Sequence, residues 1–501
     1  MSATAVKILP NYINGAWVPS TASETLDIQN PATGEVLAQC PLSGANDVDA
    51  AVQAARAAFP DWKAKSTIER ARWLFGFRQR LEEEKDRLAT CVTTEMGKTF
   101  PDARAEVERM IEMVEAATAI PTTMQGRILE GVATKIDAET IRQPVGVCAA
   151  ITPFNFPAMV PMWFLPFAIA CGNTFILKPS EQVPMTQGIV FEIIDELGLP
   201  PGVVNMVNGS KDVVNGILDH PGIDAVSFVG SAATAQYIYE RAAANKKRVQ
   251  ALGGAKNSMV VMPDAVMDKT ADNIIGSAFG AAGQRCMAGS IVVAVGGAWE
   301  DLKTELVPRT EALTVGDGME GSTHVGPVVS CAARDRIRGM IDNAVEQGAT
   351  LAVDGRQTGL SEDGAYVGPT IVTGVTADME IAREEVFGPV LSVVCVDTLA
   401  DAIAFINGSR YGNGTSIFTE SGAAVRRYRH EIEVGMIGVN VGVAAPVAFF
   451  PFSGWKDSFL GDLHAHGTDG VDFFTRKKTV TSRWFSDGQT GKFFVEHGDA
   501  S

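Results

Sequence analysis

Residues 225–231 read Ala225-Val226-Ser227-Phe228-Val229-Gly230-Ser231, and the stretch from Ala232 to about Asn245 follows with helical composition. A short apolar run closes on Gly-Ser, and a helix is predicted to begin at once. That is the strand–turn–helix junction of a parallel α/β unit, where the free N–H groups of a helix N-terminus suit a pyrophosphate. Many strand–helix turns share the pattern, so by itself the junction leaves a plain structural turn open.

The alternation repeats on both sides. Val145–Ile151 and Thr174–Leu177 precede the junction, and Ser258–Met262, Ser290–Val295 and Val390–Val396 follow it, each an apolar run succeeded by turn residues and a helical stretch. Strands alternating with helices predict parallel α/β domains. Nearer the N-terminus, Ser66-Thr67-Ile68-Glu69 predicts a capping box opening a helix through about Leu81. Phe100–Thr118 predicts a helix with Val107, Met110, Ile111 and Val114 on one face. Val471–Trp484, rich in Val, Thr and Phe, predicts an exposed strand whose uncovered edge would pair with another subunit.

At roughly 150 residues per domain, 501 residues suggest about three domains. A composition 46% hydrophobic and 20% charged is that of a soluble globular chain. The net charge of −17 excludes binding of nucleic acid through bulk attraction, and an anionic ligand would need a locally positive site. Seven cysteines, at 40, 91, 148, 171, 286, 331 and 395, form no close pair, which implies reduced thiols in a reducing compartment. MSATAVKILPNYINGAW has neither a signal-peptide core nor an Arg-rich transit pattern. Ala158–Cys171 is apolar but short and holds Pro161 and Pro166, so it reads as core and not as a membrane span. The expectation is a cytoplasmic protein without a membrane partner.

Several segments could carry chemistry. Gly316-Asp317-Gly318-Met319-Glu320-Gly321 fits the dinucleotide fingerprint, but Ser-Thr-His-Val-Gly-Pro follows where a helix is required, so a polar loop is the better reading. In Ile176-Leu177-Lys178-Pro179-Ser180-Glu181, the Lys can donate to ribose hydroxyls and the Glu can accept from them; a solvated ion pair is the alternative. Cys286 lies in Gly280-Ala281-Ala282-Gly283-Gln284-Arg285-Cys286-Met287-Ala288-Gly289, where glycines admit a close ligand and Arg285 would lower the thiol pKa from about 8.5. A buried structural thiol, or the nucleophile of a Cys-His hydrolase, stays open there. Asn155, in the rigid turn Thr152-Pro153-Phe154-Asn155-Phe156-Pro157, could donate to an oxyanion or cap its own backbone. His464-Ala465-His466 has no accompanying ligand motif; a solvated loop and no metal are expected.

Taken in order, Thr152–Pro157, Leu177–Glu181, Phe228–Ser231, Gly283–Cys286, Glu385-Val386-Phe387-Gly388-Pro389 and Pro451-Phe452-Ser453-Gly454 resemble the aldehyde dehydrogenase superfamily over most of the chain. Gly254-Ala255-Lys256-Asn257, Phe279–Ala288, Phe449–Lys456 and Val471–Lys478 resemble its CoA-acylating methylmalonate-semialdehyde dehydrogenase branch. The resemblance implies an α/β fold with a Rossmann-like NAD domain (1–124 and 144–252), a catalytic domain (253–469), and an oligomerisation arm with a C-terminal tail (125–143 and 470–501) joining a homodimer or homotetramer. It implies that Cys286 attacks the aldehyde while its own N–H and the Asn155 amide hold the oxyanion. Thr152, Phe154, Lys178, Glu181, Gln182, Ser231, Gly253 and Glu385 fall at NAD-contacting positions, and Arg109 and Arg285 at positions that bind a substrate carboxylate. On the residues alone, Arg109 is a surface residue with Glu106 and Glu112 at salt-bridge spacing.

One departure from the hydrolytic members matters. Their Glu-Leu-Gly-Gly-Lys motif supplies the base that activates water; here Ala251-Leu252-Gly253-Gly254-Ala255-Lys256 stands in its place, with Ala251 read as the position of the base. Losing a positioned base costs roughly 10²–10⁴-fold, so the thioester would await a better nucleophile such as the thiol of CoA. The implied reaction converts methylmalonate semialdehyde, NAD and CoA to propionyl-CoA, CO₂ and NADH, with malonate semialdehyde giving acetyl-CoA. Lys246-Lys247-Arg248 could meet CoA phosphates, though a solvated charged face is the simpler reading. A hydrolytic dehydrogenase giving a free acid, an NAD-independent Cys hydrolase or acyltransferase, and a non-catalytic protein on the same scaffold remain as alternatives.

Overall fold

In the computed structural model, residues 6–484 are described. Two large sheets organise the chain. The first has eight strands in the order Ala16–Val18, Asn11–Ile13, Val204–Met206, Thr174–Lys178, Val147–Ile151, Ala225–Val229, Arg248–Leu252 and Phe459–Leu460. Its five inner strands, from Val204–Met206 to Arg248–Leu252, are parallel. Both flanks are antiparallel, and Phe459–Leu460, from far along the chain, closes one of them against Arg248–Leu252. Val147–Ile151, Thr174–Lys178 and Ala225–Val229 are buried at every residue, as unbroken apolar runs covered on both faces must be. Alternate side chains divide between two cores: Cys148, Ala150 and Leu177 enter one, while Val147, Ala149 and Ile151 enter the other.

The second sheet runs Thr350–Val353, Thr370–Thr373, Val390–Val396, Gly289–Val295, Asn257–Val261, Gly414–Phe418 and Met436–Val439, parallel except for Thr350–Val353. The capping box forms as read: Ser66 Oγ accepts from Glu69 N–H at 3.2 Å, the Ser66 N–H donates to Glu69 Oε2 at 2.9 Å, and the helix spans Thr67–Glu83. Phe100–Thr118 is a helix with the expected apolar face buried. Ala158–Cys171 folds into two short buried helices, Met159–Met162 and Leu165–Ala170. No helix among the described residues is long and apolar enough to cross a membrane.

A third, antiparallel sheet projects as three strands, Thr475–Ser482, Ile136–Pro144 and Arg127–Ala133. The expectation of one strand over Val471–Trp484 needs correction. Val471 and Phe473 lie in a short helix, Gly467–Phe473, and they and Phe474 are buried in the core; only from Thr475 does the chain extend. Burying those aromatics outweighs the β-propensity that Val and Phe carry locally.

Candidate active site

The segment around Cys286 is built on unusual backbone. The helix Met267–Phe279 stops, and Ala281, Ala282 and Gly283 follow with φ of 49°, 52° and 69°. Left-handed backbone costs a non-glycine residue about 1–2 kcal/mol, so something must hold it. At Gly283 a Cβ would lie 2.1 Å from the Gly388 carbonyl oxygen, which requires glycine there. Asp102 pins the turn, accepting from the Ala281 N–H at 2.9 Å and from Arg285 at 2.7 Å. Beyond it, the Cys286 carbonyl accepts from the side-chain amides of Asn257 and Asn413, each at 2.8 Å.

Asn155 meets this segment from the first sheet. Its amide donates to the Gln284 carbonyl at 3.0 Å, leaving its second N–H available. The Asn155 carbonyl accepts from Lys98 Nζ at 2.7 Å, and that ammonium also pairs with Glu106 at 2.6 Å, both side chains fully buried. The other Glu106 oxygen accepts from the N–H groups of Ala158 and Met159, at 2.8 and 3.1 Å. Glu106 therefore does not face Arg109, as its spacing suggested; it anchors the Asn155 turn. Arg109 pairs with Glu112 at 2.5 Å and donates to the Pro446 carbonyl at 2.6 Å, while Glu112 accepts from the Ala448 N–H at 3.0 Å. One helix, Phe100–Thr118, thus holds three separate segments through successive turns.

A cleft of about 550 Å³ opens between the two large sheets. Cys286 and Asn155 border it, as do Thr152, Phe154, Lys178, Glu181, Gln182, Ser231, Gly253 and Glu385. Lys178 is buried and pairs with Glu181 at 2.6 Å, so this pair is a built feature of the wall and not a solvated surface contact. Ser231 caps the helix Ala232–Ala244, its Oγ accepting from the Thr234 N–H at 3.4 Å. Arg109 and Arg285 do not border the cleft. Gln284 does, and was not singled out from the sequence; its Oε1 accepts from the Val329 N–H at 3.1 Å, while its buried Nε2 has no partner. Only its place two residues before the thiol could have drawn notice.

The aldehyde dehydrogenase family profile matches residues 17–480. The chain belongs to the aldehyde dehydrogenase family. It is 52% identical over 482 residues to malonate-semialdehyde dehydrogenase 2 of Geobacillus kaustophilus, covering 96% of this chain and 100% of that one. To the malonate-semialdehyde dehydrogenase of Halalkalibacterium halodurans it is 49% identical over 476 residues, 95% and 98% of the two chains. Among solved structures, methylmalonate-semialdehyde dehydrogenase from Oceanimonas doudoroffii superposes with a TM-score of 0.95 at 44% identity, over 96% of this chain and 99% of the other. A Sinorhizobium meliloti 1021 protein complexed with NAD also gives 0.95, at 45% identity over 97% and 99%. The aldehyde dehydrogenase fold thus accounts for the sheets and the cleft between them.

Within this oxidoreductase scaffold the electrostatics depart from expectation at the thiol. Burial pushes Cys286 up to about 12, Glu385 adds to the rise, and Arg285 opposes it only weakly. The lowering expected from Arg285 is present but burial outweighs it, and the guanidinium is itself paired with Asp102 at 2.7 Å. The N–H groups of Cys286 and Met287 reach the sulfur and partly offset the burial. Glu385 is itself raised to about 7 by burial, against a backbone hydrogen bond from Ala255 and the charges of Lys256 and Arg336.

The position of the water-activating base also shifts by one residue. Ala251 points into the core with Ile151 and Phe228, whereas Leu252 joins the apolar cluster against which Cys286 packs. Strand alternation makes Leu252, not Ala251, the residue on the thiol's side. Neither carries a titratable group.

Other motifs have structural roles. Gly318 of the false fingerprint sits in a loop, a Cβ there meeting the Lys98 carbonyl at 2.5 Å. His466 is 1% exposed, with both ring nitrogens unpartnered, and packs on Trp163 and Phe452, so the solvated-loop reading fails for it; His464 pairs with Asp469 at 3.0 Å. The solvated reading of Lys246–Arg248 holds only at Lys246. Lys247 is buried and donates to the carbonyls of His220 and Ile223, and Arg248 to those of Asp472, Phe473 and Thr475.

Proposed function

We propose that the chain oxidises malonate semialdehyde and methylmalonate semialdehyde with NAD through a thioester on Cys286, and transfers the acyl group to CoA. The products are acetyl-CoA or propionyl-CoA, CO₂ and NADH. The observation that carries this reading is that the strand end before Gly253 offers only Ala251 and Leu252, neither of them titratable, beside a cleft that has the nucleophile and the oxyanion donor. The names of the relatives support the substrate class.

NAD fits the cleft. The pair of buried Lys178 and half-buried Glu181 matches ribose hydroxyls with a donor and an acceptor, and its carboxylate disfavours a 2′-phosphate. The N-terminus of Ala232–Ala244 at Ser231 suits a pyrophosphate, and the unpartnered Gln284 Nε2 is a donor left for a ligand. Thr152, Phe154, Gln182, Gly253 and Glu385 would complete its contacts. When bound, NAD supplies the acceptor for the two electrons and the hydrogen that the aldehyde carbon loses.

The chain's own residues do the rest. Burial holds the Cys286 thiol protonated at neutral pH, so its proton passes to solvent before Sγ attacks. Sγ bonds to the aldehyde carbon, and the oxyanion takes hydrogen bonds from the second N–H of the Asn155 amide and from the Cys286 N–H. Oxidation leaves an acyl thioester. A carboxylate beta to that carbonyl can depart as CO₂ because the carbonyl, held by the same donors, accepts the electron pair; the enolate then takes a proton from solvent at its alpha carbon, leaving an acetyl or propionyl thioester. Arg109 and Arg285 would reach that carboxylate only by loosening their present contacts with Glu112 and Asp102. With no carboxylate at Ala251 or Leu252 to activate water, the thioester is released by the CoA thiol.

Two coarser features accompany this reading. The strand Arg127–Ala133 is exposed at every residue, including Ile128 and Leu129, and we place it in a homodimer or homotetramer contact. All seven cysteines are free thiols, which supports residence in the reducing cytoplasm. A second reading, hydrolysis, rests on Glu385: a carboxyl raised to about 7 in the same cleft is suited to act as a base. Following NADH from malonate semialdehyde with and without CoA, with the product identified by mass spectrometry, separates the two. CoA-dependent turnover to acetyl-CoA supports acylation; equal rates with free acid would replace it with the Glu385 route.

A further inference from the structure

A cavity of about 410 Å³ lies outside the catalytic cleft and shares no lining residue with it. Its size falls within the roughly 300–1,000 Å³ of small-molecule pockets. Ile291, Ala382, Phe405 and Ile406 supply apolar wall. Against that wall stands Lys256, 6% exposed, whose ammonium is buried and makes no hydrogen bond. Burial lowers it to about 8, and the charges of Glu385 and Glu384 only partly restore it. An orphaned buried ammonium is expensive, and a fold keeps one where a partner arrives from outside.

The mouth carries the same sign. Arg383 is exposed and makes no ion pair among the described residues, and Arg410, also exposed, leans over Tyr411 at 4.9 Å and pairs with Asp457 at 3.3 Å. Glu384 is the one carboxylate in the lining. Lys256, Arg383 and Arg410 against the single carboxylate of Glu384 give the lining a net positive charge, in a chain of net charge −17.

We propose that this cavity is a second ligand site, for a small organic anion whose carboxylate or phosphate pairs with Lys256 and whose short apolar part lies against Ile291 and Phe405. Arg383 and Arg410 attract the anion at the mouth.

Calorimetric titration of the full-length protein with butyrate, and separately with methyl phosphate, tests the proposal, each with and without saturating NAD. The expected result is one saturable event per chain for at least one probe, kept when NAD fills the cleft. Affinity falls at least about tenfold in Lys256→Met and in the double variant Arg383→Ala/Arg410→Ala, the loss expected when a charge-assisted contact goes. If Lys256→Met does not fold, the double variant decides alone, since both its side chains are exposed. Absence of saturable binding for both probes, binding abolished by NAD, or affinities unchanged in the variants would overturn it. The two probes also distinguish a carboxylate site from a phosphate site.

Discussion

Replacing Gly283 by alanine should disable the enzyme while leaving its core intact. Two effects add at that position. The backbone has φ of +69°, which costs an alanine about 1–2 kcal/mol. The new methyl would lie 2.1 Å from the Gly388 carbonyl oxygen and 2.9 Å from that of Ala278, closer than real Cβ contacts allow, so backbone must move by about 1 Å. Gly388 has little room to yield, since a Cβ on it would lie 2.5 Å from the Ile337 side chain. Either the Cys286 turn shifts or the stretch holding Glu385 and Phe387 does, and both border the cleft. A misplacement of about 1 Å at reacting groups costs on the order of 10²-fold in rate. The assay is kcat/KM for NADH formation from malonate semialdehyde, with circular dichroism confirming the fold. Gly339→Ala is the control: exposed, inside the helix Cys331–Glu346 with open space around it, it should leave the rate unchanged and stabilise by up to about 1 kcal/mol. A folded Gly283→Ala protein with kcat/KM within about threefold of the parent would refute the reasoning.

Other perturbations follow from the same geometry. Lys98→Met leaves Glu106 buried without its counter-ion, a loss of about 3–5 kcal/mol; urea unfolding should register it, and kcat should fall more than KM rises as the Asn155 turn loosens. Asn155→Ala removes an oxyanion donor and should lower kcat by about 10²–10³-fold with near-native unfolding. With Cys286 raised to about 12, its thiolate fraction climbs about tenfold per pH unit below that value; iodoacetamide labelling of Cys286 in the NAD-free protein should therefore rise steadily from pH 7 to 10, and a plateau below pH 8 would contradict the burial argument. Glu385→Gln should weaken NAD binding yet leave CoA-driven discharge of a preformed thioester unchanged, as read in single-turnover mixing.

Much of the fold can be read from local pattern because parallel strands buried on both faces leave unbroken apolar runs. Ala225–Val229 and Val390–Val396 have the bounds their composition suggests, and Ser231 caps the helix that follows the first. Cys286, Asn155 and the eight positions expected from the sequence to contact NAD border one cleft, although 230 residues separate Asn155 from Glu385. What escaped local reading depends on tertiary partners. Spacing on the helix Phe100–Thr118 put Glu106 beside Arg109, but the side chain turns inward to Lys98, a residue outside that helix. Arg285 adjoins the thiol in sequence, yet Asp102 claims it. Motif alignment placed the missing base at Ala251, and only the alternation of a paired strand assigns Leu252, not Ala251, to the apolar cluster against which Cys286 packs. Gln284 and Lys256 carry no motif of their own; an unpartnered nitrogen beside a cavity distinguishes them.

The central claim is that a thioester on Cys286 waits for a thiol because no base activates water. Intact-protein mass spectrometry after one turnover of malonate semialdehyde and NAD, without CoA, tests it most directly. An acyl adduct on Cys286 that persists for many turnover times and disappears on adding CoA, with acetyl-CoA appearing in equal amount, is the predicted result. An adduct that decays to free acid as fast without CoA as with it would contradict the account.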